Sequence, residues 1–336
     1  MNVGIIGASG IGKHHAKWFT LAGCKVTAFT GTTPERCAAT AALLRDLCGF
    51  GGQTYLDYRE MLEHEPLDIV CVCSPPEAHL NQIADALAAG RHVYAEKPVT
   101  WPPSDLLSCP LASCPNPRAR SVFHPALHLL LEETRSALSF SGPVFGLNAQ
   151  YVAAREAYRT LYEAERGALR HIESFYFLLE SKGLSGRYSA FEGIWIDMAP
   201  HGLSQMIDWL PEGTLKPDTV TCDIGEETTS ASFCYGDARI EMVCRKNVVS
   251  IPKRRFGVND FWVDYEGRAD ENGVYRSFLT HNGKTVMIDD LMDVSVRRFL
   301  EAIRRPEIQP FVGPQQALEN LELIMMILER GKRKTS

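Results

Sequence analysis

The stretch NVGIIGASGIGKHH, residues 2–15, carries the signal that decides the fold. A short, continuously apolar run ends at Gly7. Gly10 and Gly12 follow closely, and helical spacing then runs through Ile11, Ala16, Phe19 and Ala22. A strand that turns at glycine into a helix leaves the first helical amides free to face an anion, the usual seat of a dinucleotide pyrophosphate. Against the G-x-G-x-x-G fingerprint, Gly7 and Gly12 fit, Ser9 takes the middle position and Gly10 follows it. Gly7, Ser9, Gly10, Ile11 and Gly12 are therefore the expected pyrophosphate turn.

Outward from this turn the pattern repeats. KVTAFT (25–30), DIVCVCS (68–74) and RHVYAE (91–96) read as strands. PERCAATAALLRDLCG (34–49) and PEAHLNQIADALAAG (76–90) read as helices, each opened by proline and closed by glycine. Strands that are apolar throughout, rather than alternating, predict a parallel sheet covered on both faces: a Rossmann-type doubly wound α/β domain. A Pro/Ser/Cys-rich stretch at 101–117, a loop or short helix, and one more strand, ARSVF, complete it, with the boundary near Phe123–Pro125. Beyond it come one helix (125–138), a series of β-rich segments, PVFGLNAQYVAA among them, and two closing helices. The expected class is α/β plus α+β. Residues 1–124 form the dinucleotide-binding domain. Residues 125–336 form a substrate-binding and oligomerisation domain, an open antiparallel β-sheet flanked by helices.

Bulk properties agree with two domains. The chain has 336 residues, 45% hydrophobic and 23% charged, with formal net charge −6. That length exceeds what one core usually serves, and the acidic balance argues against nucleic acid as a partner. No secretory leader is expected, because the first residues already read as a strand, and no apolar run reaches the 18 or so residues of a membrane span. A cytoplasmic location follows as an expectation. The ten cysteines are scattered among apolar positions and are expected as buried thiols. Cys109 and Cys114 lack a second ligand pair at zinc spacing, so no metal is expected.

The end of the second strand, AFTGTTPER, bears on the cofactor. A carboxylate there selects NAD through the ribose hydroxyls, whereas basic or hydroxyl-bearing side chains accommodate the extra phosphate of NADP. No acid lies between Thr27 and Pro34; Thr30, Thr32 and Thr33, with the nearby Arg36, are what the chain offers instead. NADP(H) is expected over NAD(H).

SPPEAH (74–79), the Ala-rich helix to Gly90 and GRHVYAEKPVT (90–100) together resemble the Gfo/Idh/MocA family of nicotinamide-dependent oxidoreductases over about the first 100 residues. The resemblance implies that Ser74, Pro75, Pro76, His79, Glu96 and Lys97 contact the cofactor. It also implies that Lys97 serves catalysis, where an ammonium can stabilise a developing alkoxide or pass a proton. Pro98 keeps Lys97 out of the helical region and fixes the turn. The plainer alternative is a surface lysine paired with Glu96. From EGIWIDMAPHGLSQMIDWL (192–210) the family pattern brings Asp197 and His201, four apart and so on one helix face. His201 is the expected proton donor or acceptor, and Asp197 orients it or holds charge beside it. Structurally, Asp197 could instead cap the helix, with Pro200 in its first turn, and His201 could be a satisfied core histidine. Ser9, Ala199 and Val122 depart from the family pattern.

Arginines interleaved with tyrosines over 151–192 suggest a wall for a polar or anionic ligand, as well as a solvated helix laced with salt bridges. Tyr151, Arg155, Tyr176, Trp195 and the junction histidine His124 are the candidates. The expected function is hydride transfer between a nicotinamide and a secondary alcohol or ketone carbon of a sugar, cyclitol or sugar derivative. Reduction of an imine or enone, and a non-catalytic dinucleotide-binding sensor, are the alternatives. A homodimer or homotetramer formed through the C-terminal sheet is expected.

Overall fold

The computed structural model describes residues 1–102, 125–183 and 192–333. The expected loop or short helix at 101–117, the ARSVF strand, Cys109, Cys114 and His124 lie wholly or largely outside the described residues.

Contacts divide the chain into two compact units, Met1–Asn148 with Met292–Leu318, and Ala149–Leu291 with Glu319–Ser336. The first holds β1 (Asn2–Ile6), β2 (Lys25–Thr30), β3 (Gln53–Tyr55), β4 (Ile69–Val72), β5 (His92–Glu96) and β6 (Phe145–Asn148). They form one sheet in the order β3-β2-β1-β4-β5-β6, every pair parallel. The strand order reverses between β1 and β4, which is the switch point where ligands of such sheets bind. The helices are α1 (Gly12–Leu21), α2 (Pro34–Cys48), α3 (Tyr58–His64), α4 (Pro76–Ala88) and α5 (Pro125–Leu138). Their ends follow local chemistry. The Thr33 hydroxyl accepts the Arg36 amide at the start of α2, Pro34 takes its first turn, and Gly49 closes it at φ 70°.

The units part at Asn148, not near residue 124, for a packing reason. Phe145–Asn148 pair with β5 and extend the parallel sheet. Helix α8 (Leu291–Arg304) returns from far down the chain to cover it, with Phe299 at 5.0 Å from the Tyr94 ring. A Cβ on Gly146 would meet that Phe299 ring at 2.9 Å, so the helix seats where glycine leaves room. The fully buried core joins Ile5, Phe19, Phe29, Ile69, Tyr94 and Phe299.

The second unit is built on a sheet of nine strands: β7 (Ser174–Glu180), β8 (Leu215–Ile224), β9 (Thr228–Tyr235), β10 (Ala238–Arg245), β11 (Arg254–Val258), β12 (Phe261–Ala269), β13 (Tyr275–His281), β14 (Lys284–Asp289) and β15 (Gly331–Arg333). Their order is β14-β13-β12-β11-β7-β10-β9-β8-β15. Most pairs are antiparallel; β7–β10 and β8–β15 are parallel, so the sheet is mixed. Strict alternation of buried and exposed residues along β10 and the first half of β12 gives one covered and one open face. Helices α6 (Arg155–Arg166), α7 (Gly193–Trp209) and α9 (Pro314–Glu329) accompany it. Helix α7 lies on the covered face: a Cβ on its Gly202 would strike Phe177 of β7 at 2.6 Å and Met242 of β10 at 2.5 Å. The segment PVFGLNAQYVAA is no single strand. It splits into β6 and a 3-10 turn at Gln150–Ala154.

Candidate functional site

The turn from β1 to α1 is shaped by two glycines. Gly7 has φ 86°, and a Cβ there would lie 2.8 Å from the Cys73 carbonyl oxygen. A Cβ on Gly12 would lie 2.5 Å from the Gly7 carbonyl oxygen. Gly10 has open space around it, so it fills no steric need. Helix α1 starts without a side-chain cap, Ile11 standing at its N-cap and 41% exposed. Ser9 and Gly10 are also exposed. Uncapped amides beside a turn kept bare of side chains fit a pyrophosphate.

At the end of β2, Thr30 is buried and its carbonyl accepts the Gly7 amide at 3.4 Å. It therefore shapes the turn. Thr32 and Arg36 are exposed side by side, the guanidinium donating to the Thr32 hydroxyl at 3.3 Å. Glu35, one residue past the span read for an acid, sits in the first turn of α2. Its backbone amide and the Thr33 hydroxyl hold its exposed carboxyl below the usual range.

Lys97 follows β5 directly, at the same sheet end as Gly7 and Ser74, and its peptide bond to Pro98 is cis. Its neighbours are fastened on two sides. His79, buried at 1% exposure, points Nδ1 at the Pro98 carbonyl (3.0 Å) and Nε2 at the Ser74 carbonyl (2.8 Å). Burial pushes the imidazole pKa down while the two carbonyls oppose this. Both ring nitrogens face backbone carbonyls and the neutral ring donates its single N–H to one of them, so His79 links the β4–α4 turn to the Lys97–Pro98 turn. Ser74 spends its hydroxyl on Gln82 Oε1 at 2.5 Å. Pro75 is the N-cap of α4 and Pro76 its first residue, where a missing amide costs nothing.

Glu96 is buried too, at 7% exposure. Its Oε1 meets His15 Nε2 at 2.6 Å and accepts Asn148 Nδ2 at 2.7 Å, while Oε2 accepts the Lys97 amide at 3.3 Å. Burial alone would raise its pKa. The His15 hydrogen bond and charge, then Lys97 and Asn148, reverse that and hold the carboxyl at about 2. Glu96 is thus a buried anion that braces the Lys97 backbone. Reading the sequence alone misses His15 and Asn148 as part of this arrangement. A signal for His15 is present, since it lies three residues from Gly12 and four from Phe19 on the buried stripe of α1.

In the second unit, Asp197 and His201 both lie inside α7, which begins at Gly193 with Glu192 as its N-cap. Asp197 is therefore no cap, and Pro200 is in the helix interior, not its first turn. Tyr151 is 2% exposed and packs edge-on to His201, ring centroids 5.2 Å apart. The other wall candidates lie elsewhere. Arg155 is spent on Asp208, donating to its carbonyl at 3.0 Å and its carboxylate at 3.1 Å. Tyr176 stands against Trp262 on the sheet face opposite α7. Trp195 is fully buried in the core, its indole N–H without a hydrogen-bond partner.

Comparison with known proteins agrees with this architecture. Residues 1–109 match the model of the Gfo/Idh/MocA oxidoreductase family, an NAD-binding Rossmann fold. Inositol 2-dehydrogenase from Pseudomonas syringae is 33% identical over 101 residues, 30% of this chain and 29% of that enzyme. The matched region thus spans under a third of that relative. Over 98% of the chain the fold follows scyllo-inositol dehydrogenase from Lactobacillus casei, solved with NAD(H) and scyllo-inositol, at TM-score 0.65, 16% identity and 96% coverage of that chain. A 3-ketoreductase from Actinomadura kijaniata, solved as a point mutant with TDP-benzene and NADP, matches at TM-score 0.68 and 17% identity over 99% of this chain and 98% of that one. At these identities the likeness to the two structures is one of fold. Among the described residues, no helix is long and apolar enough to cross a membrane.

Proposed function

We propose that this chain, which belongs through residues 1–109 to the Gfo/Idh/MocA oxidoreductases, moves a hydride between a nicotinamide and a secondary alcohol or ketone carbon of a sugar, cyclitol or sugar derivative. The observation that carries this reading is the meeting of three elements at one end of the parallel sheet. They are the Gly7–Gly12 turn, the Ser74–His79 segment and the Glu96–Lys97–Pro98 turn, the last two joined through His79. The names of the inositol dehydrogenases and of the 3-ketoreductase support the substrate class.

In this reading the nicotinamide, when bound, supplies or accepts the hydride. The amides at the start of α1 hold the pyrophosphate, and the ammonium of Lys97 steadies negative charge on the substrate oxygen. His201, four residues from Asp197 on α7, gives or takes the hydroxyl proton, and Asp197 orients it or holds charge beside it. Exposed Thr32 and Arg36 favour NADP(H) by offering a hydroxyl and a guanidinium to a 2′-phosphate. Self-association through the open face of the second sheet, where Trp262 and Met287 are exposed, belongs to the same reading and is tested by light scattering.

The deciding experiment follows absorbance of NADPH and NADH against inositols, keto-sugars and nucleotide sugars, in the wild type and in Lys97→Ala. Turnover of at least one such substrate, lowered about a hundredfold in the variant, is expected. Cofactor binding without turnover of any carbonyl or alcohol would overturn the reading in favour of a sensor.

A further inference from the structure

Behind the nucleotide turn the structure gathers donors that the hydride chemistry does not use. Cys71 lies on β4 and Cys73 just beyond its end, two residues apart and therefore on one side of the strand. Their sulfur atoms are 3.5 Å apart. A ring nitrogen of His15 joins them, all three ligand atoms within 4.8 Å of one another. His15 and Cys71 are 0% exposed and Cys73 8%. Buried thiols alone are ordinary small core residues. The imidazole is what sets this cluster apart.

Glu96 occupies Nε2 of His15, and Nδ1 is buried with no hydrogen-bond partner. Whether Nδ1 carries a proton or a lone pair, it is a polar atom in an apolar core with nothing to satisfy it. A carboxylate holding one ring nitrogen while the other is left bare is the arrangement that orients a metal-ligating histidine. The spacing fits as well. Tetrahedral coordination with metal–sulfur bonds near 2.3 Å and a metal–nitrogen bond near 2.1 Å sets sulfurs about 3.7 Å apart and sulfur from nitrogen about 3.6 Å. The sulfurs already stand at nearly that separation, and the imidazole needs to close by about 1.2 Å at most to complete the set.

We propose that His15, Cys71 and Cys73 form a structural site for a thiophilic cation, Zn(II) or Cu(I), that pins α1 to β4 behind the nucleotide turn. Two thiolates and one imidazole suit a soft metal and exclude Mg(II) and Ca(II). Three donors complete a trigonal Cu(I) site and leave Zn(II) one position for a further ligand. The cation displaces the thiol protons and any proton on Nδ1, which leave as H⁺; no electron moves. Cys73 also supplies the carbonyl facing Gly7, so the site would fix the strand against which the turn is folded. Because the donors are buried, the metal enters as the chain folds. None of this depends on the proposed hydride transfer.

The test is metal analysis of the purified chain, followed by refolding with Zn(II), Cu(I) or Co(II) under reducing conditions. One equivalent of metal per chain is expected, with Zn(II) or Cu(I) identifying the native cation. Co(II) should give a thiolate-to-metal charge-transfer band in the near ultraviolet. Cys71→Ala and Cys73→Ala should each abolish the band, while Cys244→Ala, which removes a buried thiol of the second unit, should keep it. Added metal should raise the melting temperature of the wild type and not of the Cys71→Ala/Cys73→Ala double variant; these small apolar replacements suit the core. A wild type that takes up none of the three metals would overturn the proposal. So would full metal retention in the double variant.

Discussion

His15 and Glu96, 81 positions apart in sequence, are 2.6 Å apart in the interior of the first unit. The contact joins the first helix to the end of β5 and so fixes the residue immediately before Lys97. Removing one partner of such a buried pair leaves the other without compensation, a loss of about 3–5 kcal/mol, whereas replacing both with apolar groups is often close to neutral. His15→Leu should therefore lower the urea midpoint strongly, and His15→Leu/Glu96→Leu should recover much of it. Additive losses in the double variant would show that the two side chains are not a unit.

His79 makes a second, more local prediction. His79→Phe keeps a ring in place and removes the nitrogens that face the carbonyls of Ser74 and Pro98. A misplacement of Lys97 by a fraction of an ångström should lower kcat by about tenfold or more while KM for the cofactor changes little. Steady-state kinetics separates the two. An unchanged kcat would remove His79 from the positioning of the lysine.

The two glycines at positions 7 and 10 should behave differently. Gly7→Ala forces a Cβ onto the Cys73 carbonyl in a left-handed backbone, at a cost of about 1–3 kcal/mol. Gly10→Ala meets nothing and should fall within about 0.5 kcal/mol of the wild type. Chemical denaturation of both variants checks the contrast; equal losses would contradict it.

His92 gives a pH dependence whose sign is fixed. Its Nδ1 accepts the Val144 amide at 2.9 Å, and burial lowers its pKa from 6.5. The folded state therefore binds this proton less readily than the unfolded chain. The stability His92 contributes is fully present above the unfolded value and is lost as pH falls below it. The urea midpoint should drop between pH 7.5 and 5, and His92→Gln should flatten that part of the slope. A variant with the wild-type slope would assign the effect to other groups.

Arg36 tests the cofactor preference. A guanidinium–phosphate hydrogen bond contributes about 1.5–3 kcal/mol, so Arg36→Ala should raise KM for NADPH about tenfold or more and leave NADH almost unaffected. A wild type that favours NADH by more than tenfold would refute the preference at once.

The first unit is more legible in the sequence than the second, for physical reasons. Continuously apolar strands bounded by glycine and proline identify β1, β2, β4 and β5 with little ambiguity. The short strand β3 and helix α3 carry few apolar positions and escape the pattern. Strand β6 falls on the wrong side of the expected boundary because nothing in FGLN tells which sheet will accept it; only Tyr94 and Phe299 decide that. In the second unit, SFYFLLE lies inside the Arg/Tyr-rich span read as a ligand wall and RRFGV is short and opens on two arginines, although they are β7 and β11 at the centre of the sheet. Around the site, the glycine turn and the Glu-Lys-Pro turn are readable because their chemistry is local. The hold of His15 and Asn148 on Glu96 is not, because it depends on contacts 81 and 52 positions apart. Composition points to Arg155 and Tyr176 as ligand-binding residues, but it does not reveal that Asp208 and Trp262 claim them.

The return of α8 to the first sheet carries a consequence for biosynthesis. Val296, Phe299 and Leu300 complete a core otherwise made from the first hundred residues, while more than 140 residues of another unit are synthesised in between. A ribosome that has delivered residues 1–148 has released a sheet with part of its surface still bare. Folding of that half must wait, or be shielded, until residue 300 has left the exit tunnel.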